Sequence, residues 1–135
     1  MDLVEEQLRI AAGEAMRLGN TPPRRGHAVE CRIYAEDPRT FLPSPGTIGR
    51  LQLPGADVRS DFGYDSGDDV PMFYDPLIGK VIAFGTDRSD AIEGMRSALD
   101  GLRVDGIKTN RSALIEVLDK EAFRSGNYNT GLLGK

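Results

Sequence analysis

Ala28-Val29-Glu30-Cys31-Arg32-Ile33-Tyr34-Ala35 is the stretch that decides the fold. Val29, Cys31, Ile33 and Ala35 fall on one face; Glu30, Arg32 and Tyr34 fall on the other. Alternation at period two predicts a half-buried strand. Residues 77–84 form a second strand-like run. Between the two lie a loop with three prolines at 37–46, short strands at 47–53 and 58–62 split by a Pro54-Gly55 turn, and a glycine-bearing turn at 63–69. Strands this close in sequence are expected to pair as meanders or hairpins.

Helical spacing takes over on both sides. In residues 2–12, Leu3, Gln7 and Ile10 run beside Val4, Leu8 and Ala11, and Gly13 offers a C-cap. Residues 19–26, with Pro22 and Pro23, read as a linker. Later, Ile92, Met95, Leu99 and Leu102 mark one helical face, with Asp87 or Ser89 as N-cap. Thr109 or Asn110 opens another helix through Leu118, and a short last helix at 120–124 stops near Gly126. Helix, then strands, then helices predicts an α+β domain: a mainly antiparallel sheet flanked by helices.

The chain has 135 residues, the size of one compact domain, with 39% apolar and 28% charged residues. No apolar run approaches the roughly 20 residues of a membrane span. The N-terminus lacks the pattern of a signal peptide. Met1 is followed at once by helix-forming sequence, which reads as a boundary inside a longer protein or as an ordinary short start. One cysteine, Cys31, excludes an internal disulfide and fits a reducing, cytoplasmic setting. A net charge of −4 argues against nucleic acid. There is no P-loop, no Gly-x-Gly-x-x-Gly and no Gly-x-Ser-x-Gly elbow. His27 and Cys31 cannot build a zinc site. Asp57, Asp61, Asp65, Asp68 and Asp69 do not follow calcium-loop spacing and read as a solvated loop.

Three segments are more particular. One is Glu30-Cys31-Arg32-Ile33-Tyr34-Ala35-Glu36-Asp37-Pro38, continuing to Phe41-Leu42-Pro43-Ser44-Pro45-Gly46. The second is Val70-Pro71-Met72-Phe73-Tyr74-Asp75-Pro76-Leu77-Ile78-Gly79-Lys80, and the third is Asp105-Gly106-Ile107-Lys108-Thr109-Asn110. With the opening Asp2-Leu3-Val4-Glu5-Glu6-Gln7-Leu8-Arg9-Ile10-Ala11-Ala12-Gly13, they resemble the C-terminal region of biotin carboxylases, as found in acetyl-CoA, propionyl-CoA and pyruvate carboxylases. The resemblance runs from Asp2 to about Leu133 and implies a rudimentary hybrid-motif sheet flanked by helices.

The resemblance also implies a reaction. ATP activates bicarbonate as carboxyphosphate, and biotin captures the released carbon dioxide at N1′. The ATP-grasp domain, which supplies the phosphate loop, the Mg2+-binding glutamates and the bicarbonate site, would precede Asp2. The chain alone would be an inactive fragment of an ATP-dependent ligase, supplying one wall of the active site and part of a homodimer interface. The partners implied are its own ATP-grasp and N-terminal domains, a biotin carboxyl carrier protein or domain, and a carboxyltransferase. An acetyl-CoA carboxylase parent would serve fatty acid biosynthesis.

Arg59, in Val58-Arg59-Ser60-Asp61, matches the family's arginine beside the biotin ureido oxygen. A fixed guanidinium there would stabilise the charge that forms when N1′ is deprotonated. The bland alternative is a surface ion pair with Asp61 or Asp57. The preceding loop, Pro54 to Asp57, is shorter than the usual family form. Asn129 and Thr130 align with residues bordering the adenine pocket and differ from them in type. Phe84 and Arg88 are expected at a dimer interface, the alternative being a buried Phe84 and a solvated Arg88. Glu30 and Arg32 read as a structural network; Tyr74, Asp75 and Lys80 as packing. Asp105 and Lys108 read as capping plus an ion pair between two helices. Two further readings are the matching domain of another ATP-grasp carboxylase, such as a urea carboxylase, and a non-catalytic assembly module.

Overall fold

The computed structural model describes residues 2–17 and 23–133. The expected linker lies outside these residues as far as Pro22. Helix α1 (Leu3–Ala11) starts at Asp2, whose carboxylate accepts from the Val4 and Glu5 amides at 2.9 and 3.0 Å. Its Leu3, Val4 and Leu8 stay exposed.

Strand β1 (His27–Tyr34) buries Val29, Cys31 and Ile33 and exposes Glu30 and Arg32, as its alternation predicts. The chain continues through β2 (Gly46–Thr47), β3 (Arg50–Gln52), β4 (Arg59–Phe62), β5 (Asp69–Val70) and β6 (Leu77–Gly85). The strand expected across 47–53 is therefore broken into two. At the break Ile48 is fully buried, its amide donates to the Asp68 carbonyl, and Gly49 donates to the Asp105 carbonyl.

Sequence neighbours do not pair. The main sheet has the order β1-β6-β4, all antiparallel, and β2 pairs with β5. The expected meander gives way to long connections because β6, apolar along most of its length, is the strand that gains most by lying in the middle. Helix α2 (Arg88–Gly101) takes Asp87 as N-cap and lays Ala91, Ile92, Met95, Ala98 and Leu99 on the buried face of β1 and β6. Gly85 lets it approach: a Cβ there would strike the backbone of Asp90 and Ala91.

A strand, β7 (Arg103–Asp105), then pairs with β3, where the sequence suggests only a link between helices. Helix α3 (Arg111–Asp119), helix α4 (Glu121–Ser125) and a single 3-10 turn (Thr130–Leu133) follow. Asn110 precedes α3 yet makes no capping bond; its side chain is engaged by β1. The architecture is α+β with antiparallel pairing throughout, as expected.

Candidate functional site

The main sheet has one face under α2 and one face without a covering element among the described residues. On that open face the register brings together residues far apart in sequence. Arg32 stands opposite Lys80, and Lys80 opposite Asp61; Glu30 stands opposite Ile82, and Ile82 opposite Arg59. Three cations and two carboxylates thus share a six-position grid.

Arg59 opens β4 with its side chain 75% exposed, and its Nε lies 2.8 Å from Asp61 Oδ2. The surface ion pair read from Val58-Arg59-Ser60-Asp61 is thus present, and the same guanidinium points out of the open face. Arg32 Nε contacts Glu30 Oε1 at 3.2 Å along β1, the network expected for that strand. Sequence reading missed what surrounds it. Arg32 faces Lys80 directly, and like charges directly opposite in a sheet repel. The only signal is the β1–β6 register, which no local pattern reveals.

The Tyr34 end of β1 meets a proline-rich rim. Met72, Phe73 and Tyr74 are strongly exposed there, on a loop tied down by the Ala35 amide donating to the Pro76 carbonyl at 2.8 Å. The Glu36 carboxyl is raised by burial and by nearby Asp75. Lys108 forms the expected ion pair, but with Asp37 at 2.8 Å, and not between helices. Cys31 lies in the core, where burial pushes its thiol up to about 12 and removes it as a nucleophile near neutral pH.

The other expected residues sit elsewhere. Asn129 and Thr130 lie at the exposed entry to the 3-10 turn, where Asn129 Oδ1 accepts from the Gly131 amide at 2.9 Å. Leu133 of that turn lines an apolar groove of about 220 Å³ with Tyr34, Phe41, Leu114 and Val117. Phe84 is 65% exposed on the open face. Arg88, expected beside it as an interface charge, is half-buried and bonded within the chain. It donates to the carbonyls of Arg124 and Phe123 at 3.2 and 2.5 Å and contacts His27 Nε2 at 3.2 Å. Those partners come from segments distant in sequence, and the alternative of a buried Phe84 with a solvated Arg88 is not what the fold holds.

Among the described residues no cluster of three His, Cys, Asp or Glu side chains could hold a metal ion. None of the described helices is long and apolar enough to cross a membrane.

Comparison with known proteins places this geometry. The family model for the biotin carboxylase C-terminal domain matches residues 30–135. The chain is 48% identical to the biotin carboxylase of Pseudomonas aeruginosa over 137 aligned positions, covering 100% of this chain and 30% of that protein. The fold matches the biotin carboxylase domain of Hydrogenobacter thermophilus 2-oxoglutarate carboxylase, solved as a dimer with MgADP, ADP and bicarbonate. That match has a TM-score of 0.91, 39% identity, and covers 98% of this chain and 30% of that one. It also matches Kluyveromyces lactis urea carboxylase, with a TM-score of 0.89 and 36% identity, covering 97% of this chain and 12% of that one. The chain thus spans under a third of the length of these relatives, and it belongs to the biotin carboxylase C-terminal domain family.

Proposed function

We propose that this chain is the C-terminal part of a cytoplasmic biotin carboxylase, an ATP-dependent ligase that carboxylates biotin at N1′ with bicarbonate. The observation that carries the reading is similarity across 100% of the chain to a biotin carboxylase at 48% identity. ATP and Mg2+ would be held by the ATP-grasp portion, with Asn129 and Thr130 bordering the adenine. Biotin would arrive on a carrier protein or domain and leave for a carboxyltransferase. The open face of β1-β6-β4 is the wall offered to the biotin ring. Phe84 is its exposed apolar residue and serves a contact with a second copy.

The chemistry assigned to the wall is electrostatic. Loss of the N1′ proton puts charge on the ureido oxygen, and a preorganised guanidinium lowers the energy of that charge. Arg59 is assigned this role by its place in the Val-Arg-Ser-Asp strand. A second assignment, Arg32, is favoured by one observation: its direct opposition to Lys80 leaves two cations where an anion would relieve the repulsion.

Bicarbonate-dependent ATP hydrolysis with free biotin tests the reading. The full-length parent should hydrolyse ATP faster with biotin, and the isolated chain should match the buffer blank. A parent indifferent to biotin, or an isolated chain with parent-level activity, rejects it.

A further inference from the structure

Arg88 lies in the first turn of α2, yet its contacts are with the end of the chain. Two of its nitrogens donate to last-turn carbonyls of α4: that of Arg124, and that of Phe123, which also accepts from the Gly126 amide at 3.2 Å. The third contacts His27 Nε2, which must be the acceptor because a guanidinium only donates. Its Cζ lies over two rings, 4.9 Å from the Phe123 centroid and 5.9 Å from that of Tyr128. The two rings contact each other, with centroids 5.1 Å apart.

Beyond α4 the chain turns at Gly126, whose φ of +78° is the left-handed C-cap conformation. Residues 126 to 131 are all exposed. Two devices define their path. The Arg88 stack holds Tyr128, and Lys120 Nζ donates to the Leu132 carbonyl at 2.8 Å. Asn129 and Thr130 lie between these two anchor points. Arg124 adds a brace to α2 through Glu93 at 2.5 Å.

We infer that Arg88 is a positioning residue for the nucleotide end of the site: by capping α4 and lying over Phe123 and Tyr128, it sets where Asn129 and Thr130 stand. The inference rests on the reading that those two residues border the adenine. Lysine would keep the charge and lose the planar fork and the stack, so it is not an equivalent.

The test uses the full-length parent and measures bicarbonate-dependent ATP cleavage, with hydrogen exchange over residues 123–133. Arg88→Ala should raise the KM for ATP about tenfold with kcat within about twofold, and should speed exchange in that segment. Arg88→Lys should recover only a minor part of the KM. Should Arg88→Ala not fold, Tyr128→Ala removes half of the stack and must show the same split between KM and kcat. Asn129→Ala with Thr130→Ala tests the underlying reading separately. If that double variant raises the KM and Arg88→Ala does not, the positioning role is wrong and the adenine border stands. If the double variant leaves the KM unchanged, the border reading fails and the inference with it. A parallel fall in Tm and kcat at constant KM marks Arg88 as a structural staple only and overturns the proposal.

Discussion

Lys108 Nζ lies 2.8 Å from Asp37 Oδ2, joining the loop after β1 to the segment before α3 across 71 positions of sequence. Asp37 also accepts from the Arg39 and Thr40 amides at 3.0 and 3.1 Å. Lys108 first, and then these amides, hold its carboxyl well below the usual carboxylate range. A carboxyl with a lowered folded pKa stabilises the fold above its unfolded value and loses that contribution as pH falls towards the folded one. Asp37→Asn should therefore destabilise the chain at neutral pH. The gap from the wild type should shrink below about pH 4. Thermal melts of both proteins from neutral to acid pH check this; a gap that stays constant or widens on acidification contradicts it.

One side-chain amide links α3 to β1. Asn110, buried, accepts from the Tyr34 amide at 3.0 Å and donates to the Arg32 carbonyl at 3.1 Å. Truncation leaves a donor and an acceptor unpaired at the end of the strand, while the bond from the Asn110 amide to the Tyr34 carbonyl survives. Asn110→Ala should cost about 2 kcal/mol, and Asn110→Asp should also destabilise because a carboxylate cannot donate to the Arg32 carbonyl. Urea denaturation reads both; a cost below about 0.5 kcal/mol would show that water replaces the amide without loss.

Asn110 also shows where sequence reading stops. As one of two possible caps it was legible from its place before an apolar helical period, and α3 does begin there. Its bonds are to a strand 76 and 78 positions away, and no local pattern reports them. The alternation of β1 and the face of α2 were legible because each is a local periodicity imposed by one core. The order β1-β6-β4 was not, since it depends on which strand gains most from burial on two edges. β7 escaped notice because three residues are too few to show a period. For Arg88 the sequence suggests an interface charge, and no local pattern reports the α4 carbonyls placed beside it.

Ser60 lies in β4 with its hydroxyl buried and without a hydrogen-bond partner. An unpaired buried hydroxyl has lost its water and gained nothing in return. Ser60→Ala should leave the fold intact and stabilise it by about 1 kcal/mol. Calorimetry of the variant decides: a lower Tm would mean that the hydroxyl finds a partner in solution.

The open face carries Arg32, Lys80 and Arg59 against Glu30 and Asp61, so it holds a surplus of one positive charge. Asp61 lies 2.8 Å from Arg59, whereas Arg32 is 3.2 Å from Glu30 and directly faces Lys80. With ~4.8 Å between strands and ~3.3 Å per residue, the two arginine Cα atoms stand about 12 Å apart, and each guanidinium is paired with its own carboxylate. At least one of them is the donor if the wall works as proposed. Removing a preorganised donor to a developing oxyanion costs about 10²–10³ in rate, whereas breaking an exposed ion pair costs under about 1 kcal/mol of stability and no rate. Arg59→Ala and Arg32→Ala, each in the full-length parent, should both melt near the wild-type temperature. One should lose biotin carboxylation while retaining more of the biotin-independent ATP cleavage, because ATP and bicarbonate are assigned to the other domain. Collapse with Arg59→Ala places the ureido oxygen over β4. Collapse with Arg32→Ala places it over β1 and leaves Arg59 a surface ion-pair residue. If both variants carboxylate biotin at the wild-type rate, the open face is not the wall of the biotin site.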